Sequence, residues 1–260
     1  MQIISWNING IRSIYKKNFL DWFLKTKADI ICLQEIKAQE GQIPDDLLKI
    51  PDYYFYFNQA FKKGYSGVAV YTKQKPLKIN GKLGLKQFDE EGRMLELEYS
   101  DFILINLYLP HGGRQKENLK YKLKVYDYLI KYLKHLKQNT NKGIILAGDF
   151  NIAHQDIDLA RPDENRDNIM FTPEEREQID KIINLGFIDT FRQFHQEGGY
   201  YTWWPYMFYA RERNLGWRID YIFVSQLLLS RLKNSFILSK IMGSDHCPVG
   251  IELSNDKINN

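Results

Sequence analysis

Cysteine is scarce in this sequence, with two residues, Cys32 and Cys247, among 260. Two thiols cannot build a disulfide framework, and four-thiolate structural zinc is out of reach. Each lies in an apolar, strand-like run, so both are expected to be buried and reduced. Long apolar stretches are missing too. The best one, Phe102 to Leu109, stops at Pro110, far short of the ~20 residues a membrane span needs. No basic and apolar leader precedes the strand-like Met1 to Trp6, so no signal peptide is expected and a cytoplasmic monomer is the default reading. Linkers rich in Pro, Gly or Ser are absent, as are low-complexity tracts, and residues 1–260 are expected to form one domain. With 44% apolar and 14% aromatic residues the chain has ample core, which excludes a disordered tail.

Net charge says little, because 36 Lys+Arg against 32 Asp+Glu leave only +4. Its placement says more. Phe61 to Lys86 holds seven lysines and no acid, and His111 to Lys142 holds nine Lys/Arg against two acids. Such runs suit either a solvated lysine coat or a surface that neutralises a polyanion's phosphates.

Short strand candidates run the length of the chain: Ile3–Trp6, Asp29–Leu33, Tyr54–Asn58, Gly67–Tyr71, Met94–Glu98, Phe102–Leu109, Ile144–Gly148, Arg218–Val224, Ser235–Leu238 and Val249–Leu253. Several are apolar throughout, as strands covered on both faces are. Helices fall between them. Leu119, Leu123, Tyr126, Ile130 and Leu133 form one stripe, with Lys120, Lys124, Asp127, Lys131 and Lys134 opposite. Thr172-Pro173 with Glu175 predicts a capping box opening a helix that stops at Gly186, and Phe19 to Lys25 predicts another. About ten strands mixed with helices imply an α/β fold of two packed mixed sheets with helices outside. Ile152 to Pro173 has no periodicity, and a stretch of that length in a compact domain is usually functional.

Polar residues planted at the ends of apolar strands carry the chemistry. Asn7 and Asn9 follow Ile-Ile-Ser-Trp, Glu35 follows Ile-Ile-Cys-Leu-Gln, and Tyr108 ends Ile-Leu-Ile-Asn-Leu. Asp149 and Asn151 end Ile-Ile-Leu-Ala-Gly, Asp220 sits in Trp-Arg-Ile-Asp-Tyr, and Asp245-His246 precede Cys-Pro-Val-Gly-Ile. Singly, each has an ordinary explanation as a turn or cap residue. Together they place Asn, Glu, Asp and His at one edge of a sheet, where sites are built. Their oxygens suit Mg²⁺, with Mn²⁺ as a substitute. An imidazole beside Asp245, with Asp220 behind it, can stay protonated and face a phosphate, while Asp149 positions or deprotonates a water. The implied reaction is hydrolysis of a phosphate ester.

Six ordered segments make the pattern specific: Ser5-Trp-Asn-Ile-Asn-Gly-Ile-Arg12, Asp29-Ile-Ile-Cys-Leu-Gln-Glu-Ile-Lys37, Asn106-Leu-Tyr-Leu-Pro110, Gly148-Asp-Phe-Asn-Ile-Ala-His154, Gly216-Trp-Arg-Ile-Asp-Tyr221 and Gly243-Ser-Asp-His-Cys-Pro248. From Gln2 to about Leu253 the chain resembles the exonuclease III family of abasic-site DNA endonucleases, in the endonuclease/exonuclease/phosphatase superfamily. The resemblance implies a DNase I-like four-layer sandwich of two sheets flanked by helices. It also implies Mg²⁺-dependent cleavage of double-stranded DNA 5′ to abasic or damaged sites, with 3′→5′ exonuclease and 3′-end-cleaning activity and no obligate protein partner. Carried over by position, the metal residues are Asn7, Glu35, Asp149, Asn151 and Asp245, with Glu35 the main ligand, Asn7 beside it and Asp245 contacting the metal directly or through water. Asp149 activates water, Asn151 orients water or phosphate, His246 contacts a phosphate oxygen under the hold of Asp220, and Tyr108 hydrogen-bonds the scissile phosphate. Asn9 belongs with the substrate-binding residues, and Lys37 lends positive charge.

Around this centre the resemblance places further substrate contacts. Asn165 and Asn168 sit on the unperiodic loop that approaches the phosphates. Trp203, Trp217 and Ile219 line a pocket for the flipped abasic residue, with Arg211 in the same aromatic and Arg-rich block. Met207 and Arg114 fall where relatives insert side chains into the DNA stack. His111 stands where many relatives carry Asn or Gln, so its contribution is expected to depend on pH. Two alternatives are a sphingomyelinase or inositol-phosphate phosphatase of the same superfamily, and a non-catalytic DNA-binding module. The aromatic and Arg block argues against the first, and the complete polar set against the second.

Overall fold

The structure, a computed structural model, describes residues 1–254. Its strands are β1 (Gln2–Asn7), β2 (Ile30–Gln34), β3 (Tyr54–Asn58), β4 (Val68–Thr72), β5 (Lys78–Asn80), β6 (Met94–Glu98), β7 (Phe102–Tyr108), β8 (Gly143–Asp149), β9 (Phe187–Asp189), β10 (Asp220–Ser225), β11 (Leu232–Ile237) and β12 (Val249–Leu253). The helices are α1 (Ile11–Tyr15), α2 (Phe19–Thr26), α3 (Asp45–Leu48), α4 (Lys86–Glu90), α5 (Leu119–Gln138), α6 (Pro162–Asn165) and α7 (Pro173–Asn184).

Two six-stranded mixed sheets stack face to face, in the orders β11-β12-β1-β2-β4-β3 and β5-β6-β7-β8-β10-β9. Each sheet has one parallel pair at its centre, β1/β2 in the first and β7/β8 in the second, with antiparallel pairs on both sides. Residue alternation sets the layers. Ile30 and Cys32 point into the core between the sheets, while Ile31 and Leu33 pack with Phe19, Phe23 and Leu47 of the first sheet's helices. Ile145 and Ala147 likewise face the opposite sheet, while Ile144 and Leu146 face Tyr126, Leu129, Leu133 and Ile179 of α5 and α7. Helix, sheet, sheet and helix therefore make the four expected layers. Both cysteines are free and buried.

The capping box forms as predicted: the Glu175 N–H donates to Thr172 Oγ1 and the Thr172 N–H to Glu175 Oε2. Other expectations need correction. β5, β9, α1, α3, α4 and α6 were not foreseen, because three to five residues are too few to show a period. β10 starts at Asp220 and not at Arg218, because the Arg218 N–H leaves the ladder for the Asp158 carbonyl at 2.7 Å. On α5 the fully buried stripe is Lys122, Val125, Tyr126, Leu129 and Leu133; Leu119, Leu123 and Ile130 are only half-buried. Lys122 thus points inward, whereas the seven lysines of Phe61–Lys86 are all exposed. Among the described residues no helix is long and apolar enough to cross a membrane.

Candidate active site

The two parallel pairs build the site. Their carboxyl ends deliver Asn7 from β1, Glu35 just after β2, Tyr108 from β7 and Asp149 from β8. Antiparallel neighbours add residues at the same edge. Asp220 opens β10 opposite Asp149, and Asp245-His246 lie just before β12. Glycine makes the approach possible. A Cβ at Gly148, which has φ of 149°, would stand 1.9 Å from the Leu107 carbonyl oxygen. Asn9, Glu35, Lys37 and Asn151 all hold positive φ, between 48° and 53°. Non-glycine residues persist there only where their surroundings over-determine them, and such residues gather at functional sites.

Glu35, Asp149 and His246 each offer a ligand atom within 4.8 Å of the others. The Asn7 amide organises the two acids, donating to Glu35 Oε1 and to Asp149 Oδ2, both at 2.9 Å. Burial pushes the Glu35 carboxyl up, but the Lys37 ammonium at 2.6 Å and the Asn7 amide outweigh it and leave it below the ordinary value. Asp149 is raised to about 7, by burial first and the Asp220 charge second, against the pull of His246 and Asn7. For His246 burial favours the neutral form. The carboxylate of Asp220, 2.9 Å from Nδ1, prevails, and the imidazole is pushed up to about 10. Its Nε2 faces Asp149 at 3.9 Å. An imidazolium has no lone pair for a metal, so His246 acts here as a cationic donor and the oxygens of Glu35 and Asp149 are left as ligands. Two mutually repelling carboxylates with no available thiol form a set of hard donors that fits a divalent cation.

The phenol of Tyr108 lies under burial and the Glu35 charge, which raise its pKa well above 10 despite the Arg93 guanidinium 4.5 Å over its ring. It therefore stays a proton donor. Asp245 is tied by Asn9 Nδ2 at 2.9 Å and Trp203 Nε1 at 3.1 Å. Lys37 donates to Asn9 Oδ1, so one polar chain links Glu35, Lys37, Asn9, Asp245 and Trp203. On one side of this chain a cleft of about 900 Å³ is lined by Asn9 and Lys37 together with Arg12, Lys16 and Lys17. On the other, a cleft of about 520 Å³ is lined by His111, Arg114, Asn168, Trp203, Met207 and Trp217.

Comparison with known proteins gives the family. The profile of the endonuclease/exonuclease/phosphatase family matches residues 4–246. The chain belongs to that family. Family relatives include an exodeoxyribonuclease of Bacillus subtilis, 43% identical over 96% of this chain and 98% of the relative. The DNA repair nuclease APEX1 of Danio rerio is 43% identical over 98% of this chain and 82% of the relative. Among solved family structures, an AP endonuclease from Archaeoglobus fulgidus has a TM-score of 0.88 at 28% identity, covering 98% of this chain and 99% of that one. The 3′ phosphatase NExo from Neisseria, bound to product DNA hairpin, has a TM-score of 0.90 at 28% identity, covering 98% and 99%. The DNase I-like fold expected from sequence is the fold of these family members.

Three residues expected at the family's substrate cleft stand elsewhere. Ile219 is 1% exposed, packed with Ala153, Leu159 and Phe171 behind Trp203 and Trp217, so it backs the cleft and does not line it. Arg211 spends its guanidinium on the carbonyls of Ser239, Ile241 and Ser244 and stacks on Trp204 at 4.6 Å, which fixes a loop. The Asn165 amide caps the Arg161 carbonyl of its own short helix at 2.8 Å and holds the loop, while Asn168 lines the cleft. His111 lines the cleft. Burial and then Lys122 lower its pKa, which favours the neutral ring, and Nδ1 accepts from the Gly113 N–H. Sequence reasoning missed Thr202, whose Oγ1 accepts from the N–H of Ile219 and of Asp220. It also missed Arg93 and Lys122. For Lys122 the signal was the alternative helical stripe 122, 125, 126, 129, 133.

Proposed function

We propose that this protein is a divalent-metal-dependent DNA repair phosphodiesterase. It hydrolyses the backbone of double-stranded DNA 5′ to abasic sites, and the same site trims 3′ ends and removes 3′ nucleotides. The observation that carries the reading is the convergence of Glu35, Asp149 and His246, from far-apart stretches of chain, beside a cleft walled by Trp203 and Trp217. Glu35, with Asp149, Asn7 and Asp245 around it, would hold the ion, Mg²⁺ with Mn²⁺ as substitute. Such an ion supplies electrostatic stabilisation to a phosphate oxygen.

The residues divide the remaining work. Asp149, raised towards neutrality, takes a proton from the attacking water, and Asn7 and the Asn151 N–H hold its carboxylate in place. His246, kept cationic by Asp220, donates through Nε2 to a non-bridging phosphate oxygen. Tyr108, kept protonated, donates to the same phosphate, so water and not a phenolate is the nucleophile. Trp203 and Trp217 receive the extrahelical abasic sugar, which flips cheaply because no base has to be unstacked. Arg114 and Met207, both exposed at the cleft, contact the duplex around the gap. The basic cleft of Arg12, Lys16, Lys17 and Lys37 takes backbone phosphates.

The test is a duplex carrying a tetrahydrofuran abasic analogue. A single nick 5′ to the analogue is expected with Mg²⁺, abolished by EDTA and by Glu35→Ala. Asp149→Asn is expected to keep DNA binding and lose roughly 10³-fold in rate, since an activating group is removed. An uncut duplex alongside robust sphingomyelin hydrolysis would overturn the assignment.

A further inference from the structure

The buried pair Lys122–Glu175 stands just behind the site. Both side chains are 0% exposed, and Lys122 Nζ lies 2.5 Å from Glu175 Oε1. The ammonium has three hydrogens and meets three acceptors: Glu175 Oε1, the Asn151 carbonyl at 2.6 Å and the His111 carbonyl at 3.4 Å. The other Glu175 oxygen is spent on the capping box of α7. One lysine thus ties α5, the start of α7 and two site loops together.

Stability alone does not account for the pair. Replacing a buried ion pair by apolar residues of similar size is often neutral or stabilising, because desolvation consumes the Coulombic gain. Its acceptors suggest another role. Asn151 sits at φ of 52°, and this turn aims its N–H at Asp149 Oδ1, 2.8 Å away. The Asn151 side chain is already engaged with the Leu109 carbonyl at 2.8 Å. Lys122 is the third hold on that residue, from the carbonyl side. The neighbouring loop rests on the lysine's stem, since a Cβ at Gly112 would meet Lys122 Cδ at 3.3 Å.

We propose that Lys122 is a positioning residue. Its ammonium clamps the Asn151 turn, and through that turn it holds the Asp149 carboxylate in its reactive orientation while also holding the His111 loop. The role rests on the phosphodiesterase reading above. Small displacements of reacting groups can cost on the order of 10²-fold in rate.

The variant Lys122→Met/Glu175→Gln removes the ammonium without leaving a buried charge, and the glutamine oxygen preserves the capping box. Its melting temperature and its Kd for the abasic duplex are expected to stay near wild type, the latter within threefold. Its single-turnover nicking rate is expected to fall at least 30-fold. Exchange of the Asn151 amide hydrogen is expected to quicken at least tenfold. Glu175→Gln alone, which leaves Lys122 on both carbonyls, is expected to keep more than a third of the rate. A folded double variant nicking within threefold of wild type would overturn the proposal, as would Glu175→Gln losing as much rate as the double variant. A wild-type protein that does not nick would strike the function and not the clamp, which amide exchange reports independently. Should the double variant not fold, the native protein decides: loop-like exchange at Asn151 overturns the clamp, and protection approaching that of the core supports it.

Discussion

Asp158→Asn probes the frame that carries the aromatic wall. Asp158 is 0% exposed and accepts at Oδ1 from Arg192 and from Arg218 Nε at 2.7 Å, and at Oδ2 from the Gln155 N–H at 2.9 Å. Arg218, 1% exposed, reaches Asp189 at 2.7 Å with its other arm. This network pins the backbone between Trp217 and Asp220, because the Arg218 N–H also donates to the Asp158 carbonyl. Burial works against ionisation of Asp158, but the two guanidinium groups prevail and hold its pKa down at about 2, against an ordinary 3.8. At roughly 1 kcal/mol per tenfold, the difference amounts to about 2 kcal/mol of stability. The folded value is the depressed one. The contribution is therefore complete above about pH 5 and drains as pH falls through 3.8 towards 2, with about half of it left at pH 3. Asparagine at 158 also leaves Arg192 and Arg218 short of a counter-charge, so the total loss at pH 7 is expected to be about 3–5 kcal/mol. For a chain of this size that lowers the melting temperature by about 6–15 °C. Urea unfolding of both proteins at pH 7 and pH 3 reads the two quantities. The gap between them should narrow by about 1 kcal/mol at pH 3. A loss under about 1 kcal/mol at pH 7, or a gap that fails to narrow, would refute the electrostatic account.

Two further outcomes follow from the same structure. Gly148→Ala would force its methyl against the Leu107 carbonyl, and a loss of about 3 kcal/mol or more is expected in urea unfolding, together with loss of nicking. Wild-type stability would show that β7 and β8 can part. DNA binding measured between about 50 and 200 mM salt should fall with a log–log slope steeper than about −3, as at least four phosphate contacts require. A flat response would place Lys16, Lys17 and the exposed lysines of Phe61–Lys86 away from DNA.

Much of this was legible along the chain because it is local. Runs such as Ile-Ile-Cys-Leu and Ile-Ile-Leu-Ala read as two-face-buried strands, and Thr172 with Glu175 read as a helix start. The polar residues after those runs read as a site because nothing apolar explains them. Ile219, Arg211 and Asn165 were placed at the substrate by position alone. Whether a side chain faces the cleft depends on carbonyls and rings contributed from elsewhere, such as Ser239 and Trp204 for Arg211.

The longer strands, the long helices and the chemistry of the polar set are written locally along the chain, since hydrophobic period and capping act over a few residues. Tertiary structure alone decided that the two sheets share one pairing pattern, so that the ends of two parallel pairs meet. It also decided that Lys122 turns inward to meet Glu175, 53 residues away. Burial and the neighbouring charges then set the site's electrostatics. The same aspartate type is held at about 2 between guanidinium groups and raised to about 7 beside another carboxylate, and no local stretch of chain contains that difference.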